Sequence, residues 1–133
     1  MYTIHLTMLF AGLCALIQCA LTALVSKRRL QTGIGLLDGG DKALQRRIRA
    51  HGNFSETVPI SLLLMALLEL RGLGSAWILA FGIGLTAGRV LHAYGLIVSD
   101  AKASPSPIRL FGMVMTLAVL SIESVWCIWY YFQ

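Results

Sequence analysis

Four long apolar segments separated by short polar connections leave this chain one way to be stable, as helices crossing a bilayer. Hydrocarbon offers the backbone no hydrogen-bond partners, so each crossing segment has to satisfy its own N–H and C=O groups. The segments run over about 4–25, 54–70, 76–98 and 108–130. About 20 residues are needed to cross ~30 Å of hydrocarbon. Together with their connections the segments use the whole length of 133 residues, which predicts a single all-α domain over 1–133, a four-transmembrane-helix bundle. A hydrophobic share of 57%, a charged share of 13% and a mean hydropathy of +0.76 exclude an ordinary soluble domain. The opening stretch MYTIHLTMLF has no basic leader and no clear cleavage position, so it reads as a retained first helix with His5 near its outer end.

The net charge of +5 is not a nucleic-acid signal, because the basic residues lie between apolar segments and no RNA- or DNA-binding motif is visible. Residues 27–49 hold seven Lys or Arg and 99–109 hold two, against one in the 71–75 connection. This distribution predicts cytoplasmic basic loops with both termini outside. The 31–40 stretch QTGIGLLDGG reads as the long flexible connection, and SDAKASPSP at 99–107 as a polar loop. The second helix is expected over 41–70, ~45 Å long, with its first turns outside the membrane and a kink at Pro59. Cys14, Cys19 and Cys127 lie in apolar segments without a CxxC pair and read as small buried hydrophobes. Gly84 and Gly88 form a GxxxG, which predicts close helix packing. Trp126, Trp129, Tyr130 and Tyr131 end the fourth segment as an interfacial aromatic belt.

The chemistry concentrates where polar residues enter the membrane. RRIRAHGNFSETVP, residues 46–59, runs straight into an apolar segment. Arg49, Asn53 and Glu56 follow at i, i+4 and i+7, one helical face carrying a guanidinium, an amide and a carboxylate. Arg89 lies inside the third segment, where a charge costs roughly 2.5–3.5 kcal/mol and requires an interior partner. Counted from the 71–75 turn, Glu56 and Arg89 both fall ~20 Å deep and are opposite in sign. His92 comes one turn nearer the cytoplasm, level with Asn53, and Arg109 opens the fourth helix on that side. Gln18 is the polar exception in the first segment and should face another helix or a lipid-shielded pocket. Glu123 falls in the outer half and reads as a helix-pairing residue, while Glu69 reads as interfacial beside Arg71. The excess of cations around one depth points to an anionic, polar ligand entering from the cytoplasm. No metal-ligand set is seen.

The pattern RxxxNxxE at 49–56 followed by Pro59, GRVLHAYG at 88–95 and PIR at 107–109 resemble the membrane-associated proteins in eicosanoid and glutathione metabolism, the MAPEG family. The likeness covers nearly the whole chain, and RIRAHGNFSETVP looks closest to small bacterial members. It implies a homotrimer of four-helix subunits in a bacterial inner membrane, with glutathione as co-substrate between neighbouring subunits. By that resemblance Arg49, Asn53, Glu56, Arg89 and His92 bind glutathione, and Arg109 stabilises its thiolate. Arg28, Arg29 and Tyr94 are further candidates. The chain departs from the family at Gly52, where some members carry a second Arg. It departs again at Leu96, where some carry a Tyr, and at Leu110, where some carry a Ser. The resemblance therefore implies glutathione binding without prostaglandin-type isomerase chemistry.

The function it implies is that of a membrane-bound glutathione-dependent transferase or peroxidase. Arginines in low dielectric would favour the thiolate for attack on a lipophilic electrophile or hydroperoxide arriving from the bilayer lipids. The rivals are a non-catalytic lipid- or partner-binding protein of the same fold and a small four-span transporter. The absence of an acidic residue from segment 4–25 weighs against the transporter.

Overall fold

The computed structural model describes residues 4–98 and 106–133. Residues 99–105 of the expected polar loop, including Lys102, lie outside the described residues. Four helices account for the fold, α1 (His5–Thr32), α2 (Lys42–Leu70), α3 (Ser75–Val98) and α4 (Pro107–Tyr131). All four are long and apolar enough to cross a membrane. α2 and α3 form the central pair, and α1 and α4 each pack against both. Among the described residues α1 and α4 do not touch. The core runs through Phe10, Phe54, Met65, Ile78, Phe81, Leu85 and Val119.

α1 continues past its basic residues and stops at Thr32, where Gly33 turns left-handed (φ 70°) and its N–H reaches the Arg29 carbonyl. A residue without Cβ adopts that conformation without strain. The connection predicted to be flexible is instead pinned. Asp41 caps α2 by accepting from Leu44 N–H at 2.6 Å, and it binds Arg28 through both oxygens at 2.6 and 3.2 Å. Arg29 donates to the Ile34 carbonyl at 3.2 Å. The Arg28 fork and the cap hydrogen bond hold the Asp41 carboxyl below the ordinary carboxylate range.

The far end of the same hairpin is also tied. Glu69 accepts from Leu6 N–H (3.0 Å), Thr7 N–H (2.9 Å) and the Thr7 hydroxyl (2.6 Å). The first turn of α1 has no cap of its own, so a carboxylate from 63 residues away satisfies its orphan donors. Glu69, read from the sequence only as interfacial, thus also caps α1.

α3 and α4 meet through glycines. A Cβ on Gly88 would lie 3.0 Å from the Gly112 carbonyl, and one on Gly112 would lie 2.5 Å from the Gly88 carbonyl. The GxxxG expectation holds on the α3 side, and the sequence reading missed its partner, Gly112. Beyond the seam, Trp126 stacks edge-on against Trp77 and Phe81, with centroids at 4.9 and 5.6 Å. α2 runs as one helix through Pro59. Of the cysteines, Cys14 is buried and Cys127 half-buried, but Cys19 is exposed on the outside of the bundle, against the expectation that all three are buried.

Candidate functional site

A helix advances about 100° per residue. Set against the buried residues of α2 (Ala50, Phe54, Val58, Ser61, Met65, Leu68), Arg49 and Glu56 point roughly 140–160° away from the core. Asn53 and Thr57 sit on the margin between that open face and the interior. α2 therefore presents two charges outward and two neutral polar groups inward.

Asn53 is the centre of the arrangement. Its Oδ1 accepts from the Arg49 guanidinium at 3.2 Å, and its Nδ2 lies 3.1 Å from His92 Nε2. His92 Nδ1 lies 3.2 Å from the Arg109 carbonyl. A carbonyl only accepts, so Nδ1 carries the proton and Nε2 accepts from the Asn53 amide. The result is a hydrogen-bonded chain, Arg49 to Asn53 to His92 to the Arg109 backbone, that spans α2, α3 and α4 with His92 neutral. His92 is 4% exposed, so its orientation is set inside the bundle.

Arg89, also 4% exposed, does not pair with Glu56. Its Nε donates to Thr116 Oγ1 at 2.9 Å, and one terminal nitrogen donates to the Asn53 carbonyl and Thr57 Oγ1, each at 3.2 Å. Both threonines give their own hydroxyl hydrogens to the carbonyl one turn back, Thr57 to Asn53 and Thr116 to Gly112, each at 2.9 Å. Their lone pairs are thereby left for the cation. Arg89 is thus held by neutral oxygens at the expected depth, because Thr57 and not Glu56 continues the inward stripe of α2. The Glu56 carboxylate is exposed and forms no ion pair among the described residues.

The structure brings together Arg49, Asn53, His92, Arg89 and the start of α4 at Arg109. It does not bring in Arg28 and Arg29, which are engaged in the α1–α2 connection, or Tyr94, which is 54% exposed and roughly 200° around α3 from His92. The sequence reading missed Thr57 and Thr116 as hosts of Arg89. The depth of Arg89 was the signal that some inward oxygen had to meet it.

A second polar cluster joins α1 to α2. Gln18 Nε2 donates to Ser55 Oγ at 2.7 Å and lies 2.8 Å from His51 Nε2, which is 3.1 Å from Thr22 Oγ1. Gln18 therefore faces a neighbouring helix, as its position in an apolar segment predicts. Beside it a groove of about 300 Å³ opens between α1 and α2, lined by Cys14, Gln18, Phe54, Ser55 and Pro59 among others.

These features define a four-span membrane protein with a polar, cation-rich site where α2, α3 and α4 meet. The profile of the MAPEG family matches residues 7–129, and the chain belongs to that family. It is similar to the inner membrane protein YecN of Escherichia coli strain K12, 39% identical over 87 residues, which is 65% of this chain and 66% of that protein. The YecN of Escherichia coli strain CFT073 matches to the same extent. The matched region is thus just under two thirds of these relatives' length. No solved structure matches the chain.

Proposed function

We propose that this protein is a glutathione-dependent transferase or peroxidase of the inner membrane, with glutathione bound against the outward face of α2. The observation that carries this reading is the placement of Arg49 and Glu56. Two charged side chains face out of the bundle beside the Asn53–His92 chain, at a depth where lipid is a poor solvent for them. A zwitterionic, doubly carboxylated tripeptide complements them, with Glu56 accepting from its α-amino group and Arg49 binding a carboxylate. A second copy of the chain closing over this face, in a homotrimer, would shield both from lipid. The basic residues of 27–49 lie at this end of the bundle, which supports a cytoplasmic opening. The relatives' description as inner membrane proteins supports the location.

The chemistry asked of the site is thiol ionisation. A thiol of pKa ~8.5 brought near 6.5 requires about 2.7 kcal/mol. One guanidinium at ~4 Å and an effective dielectric of ~20 supplies about 4 kcal/mol. A single arginine suffices, and Arg109 at the mouth of α4 is the candidate. Asn53 and His92 orient and do not ionise, since each is committed to a neutral hydrogen bond. The thiolate then attacks an electrophile delivered from the bilayer.

Calorimetry of the detergent-solubilised protein with glutathione tests the reading. Saturable binding is expected, and Arg49→Ala and Glu56→Ala are each expected to weaken it by roughly 10- to 150-fold, the loss of one charge-assisted hydrogen bond. Arg109→Ala should leave binding largely intact and abolish the thiolate absorbance of the bound tripeptide. A folded protein that shows no saturable binding overturns the proposal.

A further inference from the structure

Glu123 plays no part in the function proposed above. It is completely buried, 0% exposed, between α4 and α2. At 1.5 Å per residue it lies about 24 Å from the Pro107 end of α4 and about 12 Å from the Tyr131 end, inside the hydrocarbon layer from either side. Among the described residues its one hydrogen bond comes from the Ser61 hydroxyl, which donates to Oε2 at 2.6 Å. Oε1 is buried and has no partner among the described residues.

Among the described residues no cation is placed to neutralise a carboxylate there. On α3, Arg89 is bound to Thr116, two turns back along α4, and His92 is neutral and farther still. At the end of α2, Arg71 reaches the Tyr130 carbonyl (3.4 Å) and ring, two turns onward. Of the other charged groups of α2, Arg49 and Glu56 point outward, Glu69 goes to the start of α1, and Lys42, Arg46 and Arg47 lie about four turns or more before Ser61, with Arg47 on the Leu24 carbonyl. On α4 itself the next titratable group is Cys127, whose thiol lies 3.9 Å from the Leu64 carbonyl. α1 does not contact α4 among the described residues. A carboxylate with one neutral donor and one bare oxygen is the form such a site excludes most strongly. A neutral acid fits the same geometry, with Oε2 as the carbonyl oxygen receiving Ser61 and the proton on Oε1.

We propose that Glu123 and Ser61 form a proton-binding site within the membrane, occupied at neutral pH. A hydrophobic carbodiimide dissolved in the lipid would then modify Glu123 when α2 and α4 part transiently, since the closed bundle leaves the acid 0% exposed. The acid adds across one N=C bond, its proton going to nitrogen and its oxygen to the central carbon. The O-acylisourea then rearranges to a stable N-acylurea with no leaving group.

The test uses the full chain in liposomes at neutral pH. Dicyclohexylcarbodiimide is expected to label the peptide containing Glu123, as read by mass spectrometry, while a water-soluble carbodiimide spares it. Infrared difference spectra should show that E123Q removes a neutral-acid carbonyl band. S61A should keep that band, shifted upward by the lost hydrogen bond, and should keep the labelling, so the proposal stays testable even where E123Q folds poorly. Absence of labelling, together with a carboxylate band that E123Q removes, would overturn the proposal and make Glu123 a distant counter-ion of Arg89. Neither outcome depends on glutathione, so this site and the proposed transferase fail or stand separately.

Discussion

Replacing Gly112 by Ala places one methyl group in the tightest part of the α3–α4 seam. The new Cβ would lie 2.5 Å from both the Gly88 carbonyl oxygen and the His92 nitrogen, and 3.1 Å from His92 Cα. All three are backbone atoms, so no rotamer change relieves the contact. Restoring ordinary contact of roughly 3.5 Å moves the helices apart by about 1 Å at this level. Overpacking typically costs 1–3 kcal/mol, and a wall of backbone puts this case at the upper end, about 3 kcal/mol. Alanine returns roughly 1 kcal/mol through its better helix propensity. A net loss of about 2 kcal/mol is expected. Gly12 is the internal control, because nothing lies within 4 Å of its added Cβ. Gly12→Ala should be neutral or stabilising by up to ~1 kcal/mol, a difference of about 2–3 kcal/mol between two identical chemical changes. Reversible unfolding of the detergent-solubilised variants measures both. The same displacement carries Arg109 away from His92, stretching a 3.2 Å hydrogen bond beyond useful length, so glutathione affinity should fall with stability. Equal stabilities for the two variants would refute the steric reasoning. Lost stability with unchanged affinity would refute the link to the site.

Other expectations follow from single residues. Arg89→Met removes a cation and three hydrogen bonds, and should cost about 2 kcal/mol in the same unfolding assay, because the lost charge-assisted bonds outweigh the ~3 kcal/mol insertion penalty that is returned. Asp41 is held below the ordinary carboxylate range, so its contribution is present above about pH 4 and is lost as pH falls through the lowered value. Wild type should therefore exceed Asp41→Asn in thermal stability at neutral pH, and the two should converge in acid. Glu69→Ala should expose the first turn of α1, read as faster amide exchange at Leu6 and Thr7 and a loss of about 1 kcal/mol.

Much of the architecture was legible in the chain, for a physical reason. Segments long enough to cross hydrocarbon can only be helices, and a buried Arg89 must meet oxygen. Asn53 level with His92 followed from the same counting of residues from the Arg71 turn. What counting could not supply was rotation about the helix axis. Residues 58–68 of α2 are apolar nearly all round, so nothing in that run tells which side of the helix faces the core, and the shared depth of Glu56 and Arg89 could not say that Glu56 faces out and Thr57 in. Threonine carries little signal as a cation host, so Thr57 and Thr116 went unread. Glu69 capping α1 is a contact across 63 residues, with no local pattern to announce it. Arg28 entered as a candidate ligand group through the resemblance alone, and its partner, Asp41, stands 13 residues on with no local pattern to pair them.

The two ties on the α1–α2 hairpin and the glycine seam of α3–α4 also have a mechanical meaning. Each pair is stiffened along its length, Arg28–Asp41 and Glu69–Thr7 on one side, Gly88 and Gly112 on the other. The pairs are joined by the short turn between Leu70 and Ser75, where Gly72 takes φ 84°. Two rigid arms on one pivot behave as a pair of tongs. With arms about 25 Å long to the level of Asn53 and His92, a rotation of only ~3° at the pivot would part the jaws by about 1.3 Å, so the 3.1 Å link between them stays short only because Arg89 on Asn53 and Thr57, and the core shared by the two arms, hold the tongs shut.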